Sequence, residues 1–381
     1  MPPLTRRRQH LELVPTRCPA LSREPIGQHI GQSGRQVGIA NHRIHIGTMA
    51  RLGSWIEPHP HGIHIPGADV WIDPSRPADR ALVTHGHADH ARGGHSAVWA
   101  TPATLAIMSA RYGEQAGGIA VPYGASVDLN GVRATFLPAG HVLGSAQILL
   151  EYAGERVIVS GDYKRRADPT CTPFQVTPCD IFITEATFGL PVFRHPATQS
   201  EIQKLLDALA AEPERCVLVG AYALGKAQRV IAELRALGHV APIYIHGAMQ
   251  KLCDLYRDWG VDLGELRPAL VASKEEMRGA IVVAPPSALG DRWSRRVPDP
   301  ITAMASGGMR VRQRAVQRGV ELPLVLSDHA DWDELTTTIR EIAPNEVWVT
   351  HGREDALLHW CALHQIKARA LDLVGYEDED D

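Results

Sequence analysis

The segment "THGHADH", residues 84–90, limits the possible folds and functions of this chain more than any other stretch. It follows the apolar run "RALV", so its polar side chains are expected on a loop just beyond the end of a strand. Alternate residues of an extended chain point the same way, so His85 and His87 can hold one cation while Asp89 and His90 turn toward a second. A polar surface loop is the alternative, but four potential ligands at this spacing favour a metal centre.

Two later segments offer further ligands at the ends of apolar strands. "FLPAGHVLGS" contains His141 between Gly140 and Gly144, which let the backbone approach closely. "VIVSGDYK" contains Asp162, whose carboxylate can bridge two cations. Each residue alone favours a structural role. Together with the upstream histidines they are predicted to complete the metal centre.

The order of secondary structure predicts two sheets packed face to face and an inserted α/β unit. From about residue 55, short β-rich runs alternate with turns, and one helix is predicted at residues 102–113. The pattern changes after Glu185, and residues 198–318 alternate helices with apolar strands, as in a parallel α/β unit. "LPLVLSDHAD" and "EVWVTHG" are then expected to resume the strands of the first domain.

Charge and composition constrain the remaining parts of the chain. Residues 1–48 contain seven Arg and two Glu and show no periodicity, so we expect either a disordered tail or a mis-called start before Met49. Since the net charge is −4, the remainder carries about −9, and nucleic-acid binding there would need local basic patches. Without a long apolar run or a signal-like N-terminus, a cytoplasmic location is expected. The acidic run 377–381 is expected to be a solvated tail.

These motifs resemble the metallo-β-lactamase fold and, within it, the β-CASP branch of nucleic-acid nucleases. The branch pattern is matched by Glu185 in "ITEATFG", His329 in "LSDHAD" and His351 in "VTHGRED". The resemblance covers about residues 55–370. It is closest to bacterial ligase-associated DNA repair exonucleases, through "WIDPSRPADRALVTHGHADHARGGH" and "TPATLAIMSARYG". It implies an α/β fold, an αββα sandwich formed by residues 49–197 and 319–381, with a β-CASP domain inserted at 198–318.

The resemblance also implies a role for each site residue. One metal would take His85, His87 and His141, the other Asp89, His90 and His351, with Asp162 bridging the two. Zinc suits this donor set best, and manganese is the alternative. Asp73 in "VWIDPSRP" would orient a ligating histidine without binding metal itself, and Glu185 would have a similar role. Because the seven ligands already fill two sites, His329 is expected to bind phosphate or to protonate the leaving oxygen, alongside Asp162 and Asp89 as catalytic residues.

A two-metal site of this kind implies phosphodiester hydrolysis by a bridging hydroxide. By resemblance we expect a DNA exonuclease of DNA repair, with a functional link to a DNA ligase. An RNA-processing nuclease is the first alternative. A thioester or β-lactam hydrolase is disfavoured by the large insertion, and a non-catalytic nucleic-acid-binding scaffold by the complete ligand set. The oligomeric state is left open.

Substrate contacts are predicted from basic and glycine-rich segments. Lys164, Lys226 and Arg310 are candidates for binding the phosphate backbone. Ser306, in "ASGGM", begins a turn whose backbone N–H groups can face a terminal phosphate. The histidines of "HPHGIHI", residues 59–65, could bind a stray ion, but turn and edge-strand roles are favoured.

Overall fold

The computed structural model describes residues 52–113, 117–371 and 373. The expectations for residues 1–48 and for the acidic run 377–381 lie outside the described residues.

The first sheet has six strands in the order of the chain, β1 to β6. Strands β1, β2 and β3 pair antiparallel, and β3 to β6 pair parallel. The strands are Glu57–His59 (β1), Gly62–Ile65 (β2), Val70–Ile72 (β3), Arg80–Leu82 (β4), Ala97–Ala100 (β5) and Gly118–Ala120 (β6).

The second sheet has seven strands and includes the last two strands of the chain. They are Ser126–Leu129 (β7), Val132–Pro138 (β8), Ala146–Tyr152 (β9), Glu155–Val159 (β10), Ile181–Ala186 (β11), Glu346–Gly352 (β18) and Lys367–Ala370 (β19). The order is β19-β18-β11-β10-β9-β8-β7, and β11 pairs in parallel with β18. The two sheets meet in one apolar core that includes Leu82, Phe136 and Trp348.

Helices cover the outer faces of both sheets. Helix α1, Pro102–Tyr112, packs on the first sheet through Met108, and the Thr101 hydroxyl caps its N-terminus. Helices α6, Trp332–Ile342, and α7, Glu354–Leu363, pack on the second sheet through residues such as Leu335 and Leu357. The layers are therefore helix, sheet, sheet and helix, which confirms the predicted αββα sandwich.

The third sheet is entirely parallel, and its strand order is β14-β13-β15-β12-β16-β17. Its strands are Cys216–Gly220 (β12), Ile243–Ile245 (β13), Leu266–Pro268 (β14), Ile281–Ala284 (β15), Pro300–Ala305 (β16) and Leu322–Leu324 (β17). Its helices are Thr198–Ala211 (α2), Lys226–Ala236 (α3), Gly247–Asp258 (α4) and Arg312–Gln317 (α5). The fully buried runs "CVLVG" and "IVVA" are typical of parallel strands covered on both faces.

One strand lies in a different sheet from the one expected. "LPL", residues 322–324, forms the edge of the third sheet beside β16 instead of resuming the sandwich. The inserted sheet therefore reaches Leu324 and passes the expected boundary at 318. A three-residue apolar run carries no periodicity that identifies its sheet.

The insertion packs directly against the sandwich. Ala103 and Ile107 of α1 share one apolar cluster with Leu224 and Val230 of the inserted domain. Within the part of the chain that the structure describes, none of the helices has the length and apolar character needed to cross a membrane.

Candidate metal centre

The predicted ligands converge where several strands end. His85 and His87 follow β4, His141 follows β8, Asp162 follows β10, and His351 lies in β18. The loop that carries His141 needs its glycine: Gly140 has a φ of +75°, and a Cβ there would lie 2.6 Å from the carbonyl oxygen of Lys164.

The Asp162 carboxylate lies at the middle of the cluster. Its Oδ2 is 3.3 Å from His85 Nε2, 3.4 Å from His90 Nε2 and 3.7 Å from His141 Nε2. Its Oδ1 is 3.3 Å from His351 Nε2.

Three groups of ligand atoms, each within 4.8 Å of one another, share Asp162; one joins it to Glu185 and His329, and the other two contain predicted ligands alone. Of these two, one contains His85, His87 and His141, and the other contains His90 and His351. Asp89 Oδ2 lies beside the second group, 3.4 Å from His90 Nε2. The structure thus brings the seven predicted ligands close together, and the division into two metal sites stays a prediction.

The contact between His87 and His141 favours a cation. His87 Nε2 is 3.3 Å from the carbonyl oxygen of Leu224, and His141 Nδ1 is 2.8 Å from that of Asp328. Carbonyls only accept, so both nitrogens donate, and the other nitrogen of each neutral ring carries a lone pair. Those two nitrogens, His87 Nδ1 and His141 Nε2, are 2.9 Å apart. When both rings are neutral, neither of these two nitrogens carries a proton, so their lone pairs repel each other. A metal ion bound by both nitrogens would remove this repulsion.

The local electrostatics favour the metal-binding forms of three ligands, His85, His141 and Asp162. Burial and the nearby His90 lower the pKa of His85 to about 4, and burial with His85 lowers the pKa of His141 well below its usual value. Burial opposes ionisation of Asp162, but His90 and His85 hold its pKa well below the usual range. Neutral imidazole and ionised carboxylate are the forms that bind metal.

The pKa of His90 shifts in the opposite direction from those of His85 and His141. Burial disfavours its charge, but Asp162 and Asp89 raise the pKa of His90 well above its ordinary value. Without metal, a proton on His90 offsets part of the carboxylate charge. Metal binding must displace that proton.

Asp73 contacts the back of the second ligand group. One of its carboxylate oxygens is 2.8 Å from His90 Nδ1, and the other accepts the backbone N–H of Thr84 at 2.8 Å. Asp73 is 3% exposed and has a φ of +44°, so its backbone is held in a region that non-glycine residues rarely adopt. This geometry turns His90 Nε2 toward Asp162.

His329 lies beside the ligands and is held by Glu185. His329 Nδ1 is 2.9 Å from Glu185 Oε2, and its ring centroid is 4.7 Å from that of His141. Glu185 is fully buried, and its other oxygen accepts the backbone N–H of Tyr163. Burial disfavours charge on His329, but the Glu185 carboxylate outweighs it and raises the pKa of His329 to about 9. The imidazole is therefore a proton donor at neutral pH.

Three of the four predicted substrate-binding residues are buried, which corrects that expectation. Lys164 is 0% exposed, and its ammonium lies 2.7 Å from Asp168 Oδ2 and 2.6 Å from the His141 carbonyl oxygen. Lys226 is 1% exposed and 3.5 Å from Asp328 Oδ2. Ser306 is also buried, and its hydroxyl accepts the Gly308 N–H. Of the four, only Arg310 is exposed. The prediction failed for the lysines because a basic residue beside a motif can equally be an interior ion-pair partner.

A buried charge network behind the site was missed by sequence reasoning. Arg229 of α3 lies 3.2 Å from Asp328 Oδ1 and 3.5 Å from Asp168 Oδ2, and it also donates to the Ser327 carbonyl. Lys164 and Lys226 complete the network. Lys164 and Asp168 are four residues apart, but Arg229 and Asp328 are far apart in sequence, so the network as a whole could not be recognised from local spacing.

A cavity of about 350 Å³ lies beside His87, between the sandwich and the insertion. Its lining includes Arg111 of α1, Lys251 of α4 and Tyr222 after β12. It therefore presents two cationic side chains and one aromatic ring next to the metal ligands.

Comparison with known proteins agrees with the sequence motifs and the fold. Residues 72–220 match the family described as the metallo-beta-lactamase superfamily. A solved structure of a protein of unknown function from Enterococcus faecalis has a similar fold, with a TM-score of 0.51 and 13% identity over 71% of this chain and 74% of that one.

Three relatives are considerably longer than the aligned region. A probable DNA ligase from Opitutus terrae is 30% identical over 304 residues, which cover 78% of this chain and 29% of that protein. The cleavage and polyadenylation specificity factor 73 of Drosophila melanogaster is 24% identical over 60% of this chain and 41% of the factor. The endoribonuclease YSH1 of Eremothecium gossypii is 36% identical over 29% of this chain and 15% of that enzyme. This chain therefore spans less than half the length of each of these relatives.

Proposed function

Because the chain carries a metallo-β-lactamase domain with an inserted β-CASP-type α/β domain, we propose that it is a metal-dependent hydrolase of phosphodiester bonds, a nuclease. The observation that carries the proposal is the pair of ligand groups sharing Asp162, with the cationic His329 beside them.

Each group of residues has a part in the proposed reaction. Two divalent cations, zinc by preference, would activate water and neutralise the phosphate oxygens. Asp162 keeps the two ligand groups in register, and Asp73 orients His90. His329 holds a proton that its Nε2 can pass to the leaving oxygen as the P–O bond breaks, while Glu185 fixes the ring through Nδ1.

The cavity beside His87 supports a polymeric, anionic substrate. Arg111 and Lys251 can offset phosphate charge, and Tyr222 offers a ring on which a base can stack. A small acyl substrate would leave these groups unused, so they disfavour thioester or β-lactam hydrolysis.

Within this class, we favour DNA exonuclease activity in DNA repair. The alignment with the probable DNA ligase extends over 78% of this chain, which supports a functional link to DNA end joining. RNA processing is the second candidate, because the cleavage factor and the endoribonuclease are also similar to this chain. We also propose a cytoplasmic location.

A single experiment separates these activities. The zinc- or manganese-loaded protein is incubated with 5′- and 3′-labelled single- and double-stranded DNA and with matching RNA, and the product ladders are compared. We expect stepwise shortening of DNA from one end, and loss of that ladder in Asp162→Ala. Products from RNA alone would support the second candidate.

Two small substrates complete the assay. Nitrocefin and a glutathione thioester are offered to the same metal-loaded protein. Turnover of these compounds without any cleavage of nucleic acid would contradict the nuclease proposal.

A further inference from the structure

The first hairpin of the sandwich carries a second, separate group of metal-binding side chains. Glu57 and His59 lie two residues apart on β1, and His64 on β2 is the direct cross-strand partner of Glu57. Side chains at i and i+2, and at directly opposed positions, share one face of a sheet. None of these residues belongs to the site described above.

Their ligand atoms are close enough to bind one cation. Glu57 Oε2 is 3.4 Å from His59 Nε2 and 4.0 Å from His64 Nδ1, and the three ligand atoms lie within 4.8 Å of one another. In a tetrahedral zinc site with bonds of about 2.0–2.1 Å, neighbouring ligand atoms are separated by about 3.3 Å. The first distance already matches this value, and the second requires only a small side-chain rotation.

One of the two imidazoles is already held in position. The His64 ring stacks on Trp71 of β3, with centroids 4.3 Å apart and an interplanar angle of 20°. Burial, together with the neighbouring His59, lowers the pKa of His64. His64 is therefore neutral at physiological pH, the form that coordinates metal.

We propose that Glu57, His59 and His64 bind one late first-row divalent cation, zinc in the cell, and that this ion fastens β1 to β2. Two imidazoles and one carboxylate are a zinc-type donor set, with a position left for water. Strand β1 is a three-residue edge strand, and among the strands that the structure describes it pairs with β2 alone. A metal bridge supplies the cross-link that so short a strand lacks.

The test is a count of zinc ions per chain. The full chain and the variant His64→Phe are equilibrated with zinc by dialysis, and the bound metal is measured by mass spectrometry. We expect His64→Phe and Glu57→Gln each to hold one zinc fewer per chain than the wild type, and to keep the wild-type nuclease rate. The difference between chains reports this site whatever the central site holds.

His61→Ala is the matched control, because His61 lies in the same hairpin but its Nδ1 faces Ser75 Oγ at 3.5 Å. It should keep the wild-type zinc count. Equal zinc in the wild type and both cluster variants, or an equal loss in His61→Ala, would overturn the proposal.

A second readout does not depend on the zinc count. Ni²⁺ should quench tryptophan fluorescence through Trp71 in the wild type, and much less in His64→Phe. Equal quenching in the two folded proteins would also count against the site.

Discussion

His329 lies among the metal ligands, yet its Nδ1 is bound by Glu185 and its ring is cationic at neutral pH. A cationic imidazole is a poor metal ligand and a good proton donor. His329 is therefore expected to donate a proton to the leaving oxygen.

We expect His329→Ala to lower kcat by about 10²–10⁴-fold, the usual contribution of a general acid, while the number of bound metal ions stays the same. Labelled oligonucleotide kinetics and metal analysis measure the two quantities. His364→Ala, an exposed histidine at the end of α7, is the control. Loss of one ion would make His329 a ligand, and unchanged turnover would leave it a structural role.

Asp73 is expected to act on the metal through His90. Removing the charge in Asp73→Asn should weaken zinc affinity about 10–100-fold, since ligand-orienting carboxylates contribute on this scale. Competition with a chromophoric chelator measures the affinity. The nearby exposed Asp79→Asn should bind zinc like the wild type, and a wild-type affinity in Asp73→Asn would show that Asp73 does not orient His90.

The metal ligands could be predicted from the sequence because the residues of each motif are close together along the chain. HxHxDH places four donors on one strand end, and His141 and Asp162 each follow an apolar strand. The tautomers were not readable: His87 and His141 are fixed by the carbonyls of Leu224 and Asp328, far away in sequence. For the same reason Lys226 was predicted to bind the phosphate backbone, since its partner Asp328 is about 100 residues away in sequence and is identified only by the tertiary fold.

Helix α3 contributes charge to the interior instead of presenting it to solvent. Arg229 is 0% exposed and lies between Asp168 of the sandwich and Asp328, the residue before His329. Helix α3 of the inserted domain is thereby joined to both parts of the sandwich by buried ion pairs.

Arg229→Met should lower the free energy of unfolding by about 3–5 kcal/mol, because it removes a buried cation and leaves Asp168 and Asp328 with their lysine partners alone. Urea unfolding measures the change. Arg278→Met removes an exposed arginine paired with Glu214 and Glu275, and should cost at most about 1 kcal/mol. Equal effects of the two substitutions would show that the network contributes no more than a surface ion pair.

Most elements of the insertion were predictable from its pattern of alternating helices and fully apolar strands. The edge strand β17 was not, because its three residues fit either sheet and only its pairing with β16 decides. Element boundaries depend on such partners, while element types depend on local periodicity.

For the whole molecule, metal binding and folding should be coupled, because His87 Nδ1 and His141 Nε2 are brought within 2.9 Å of each other only when the chain is folded. Zinc at a thousandfold excess over its dissociation constant should stabilise the wild type by about 4 kcal/mol relative to the chelator-treated protein.

Thermal unfolding with and without zinc checks this coupling. We expect Asp162→Ala to lose most of the shift, because Asp162 belongs to both ligand groups. Any remaining shift that disappears on adding His64→Phe reports the hairpin site. If zinc shifts the unfolding temperature of Asp162→Ala as much as that of the wild type, zinc does not stabilise the fold through the central site.

The parallel pairing of β11 with β18 also determines when the centre can be completed during synthesis. Ile181 pairs with Glu346, and the whole inserted domain lies between them along the chain. A ribosome must therefore release the insertion before β18 and its His351 can join the sheet. An early-folding insertion brings the two ends close and reduces the entropy lost in closing this long loop. The nascent chain thus holds the ligands of one cation first, and gains the second position only after the insertion and β18 have been synthesised.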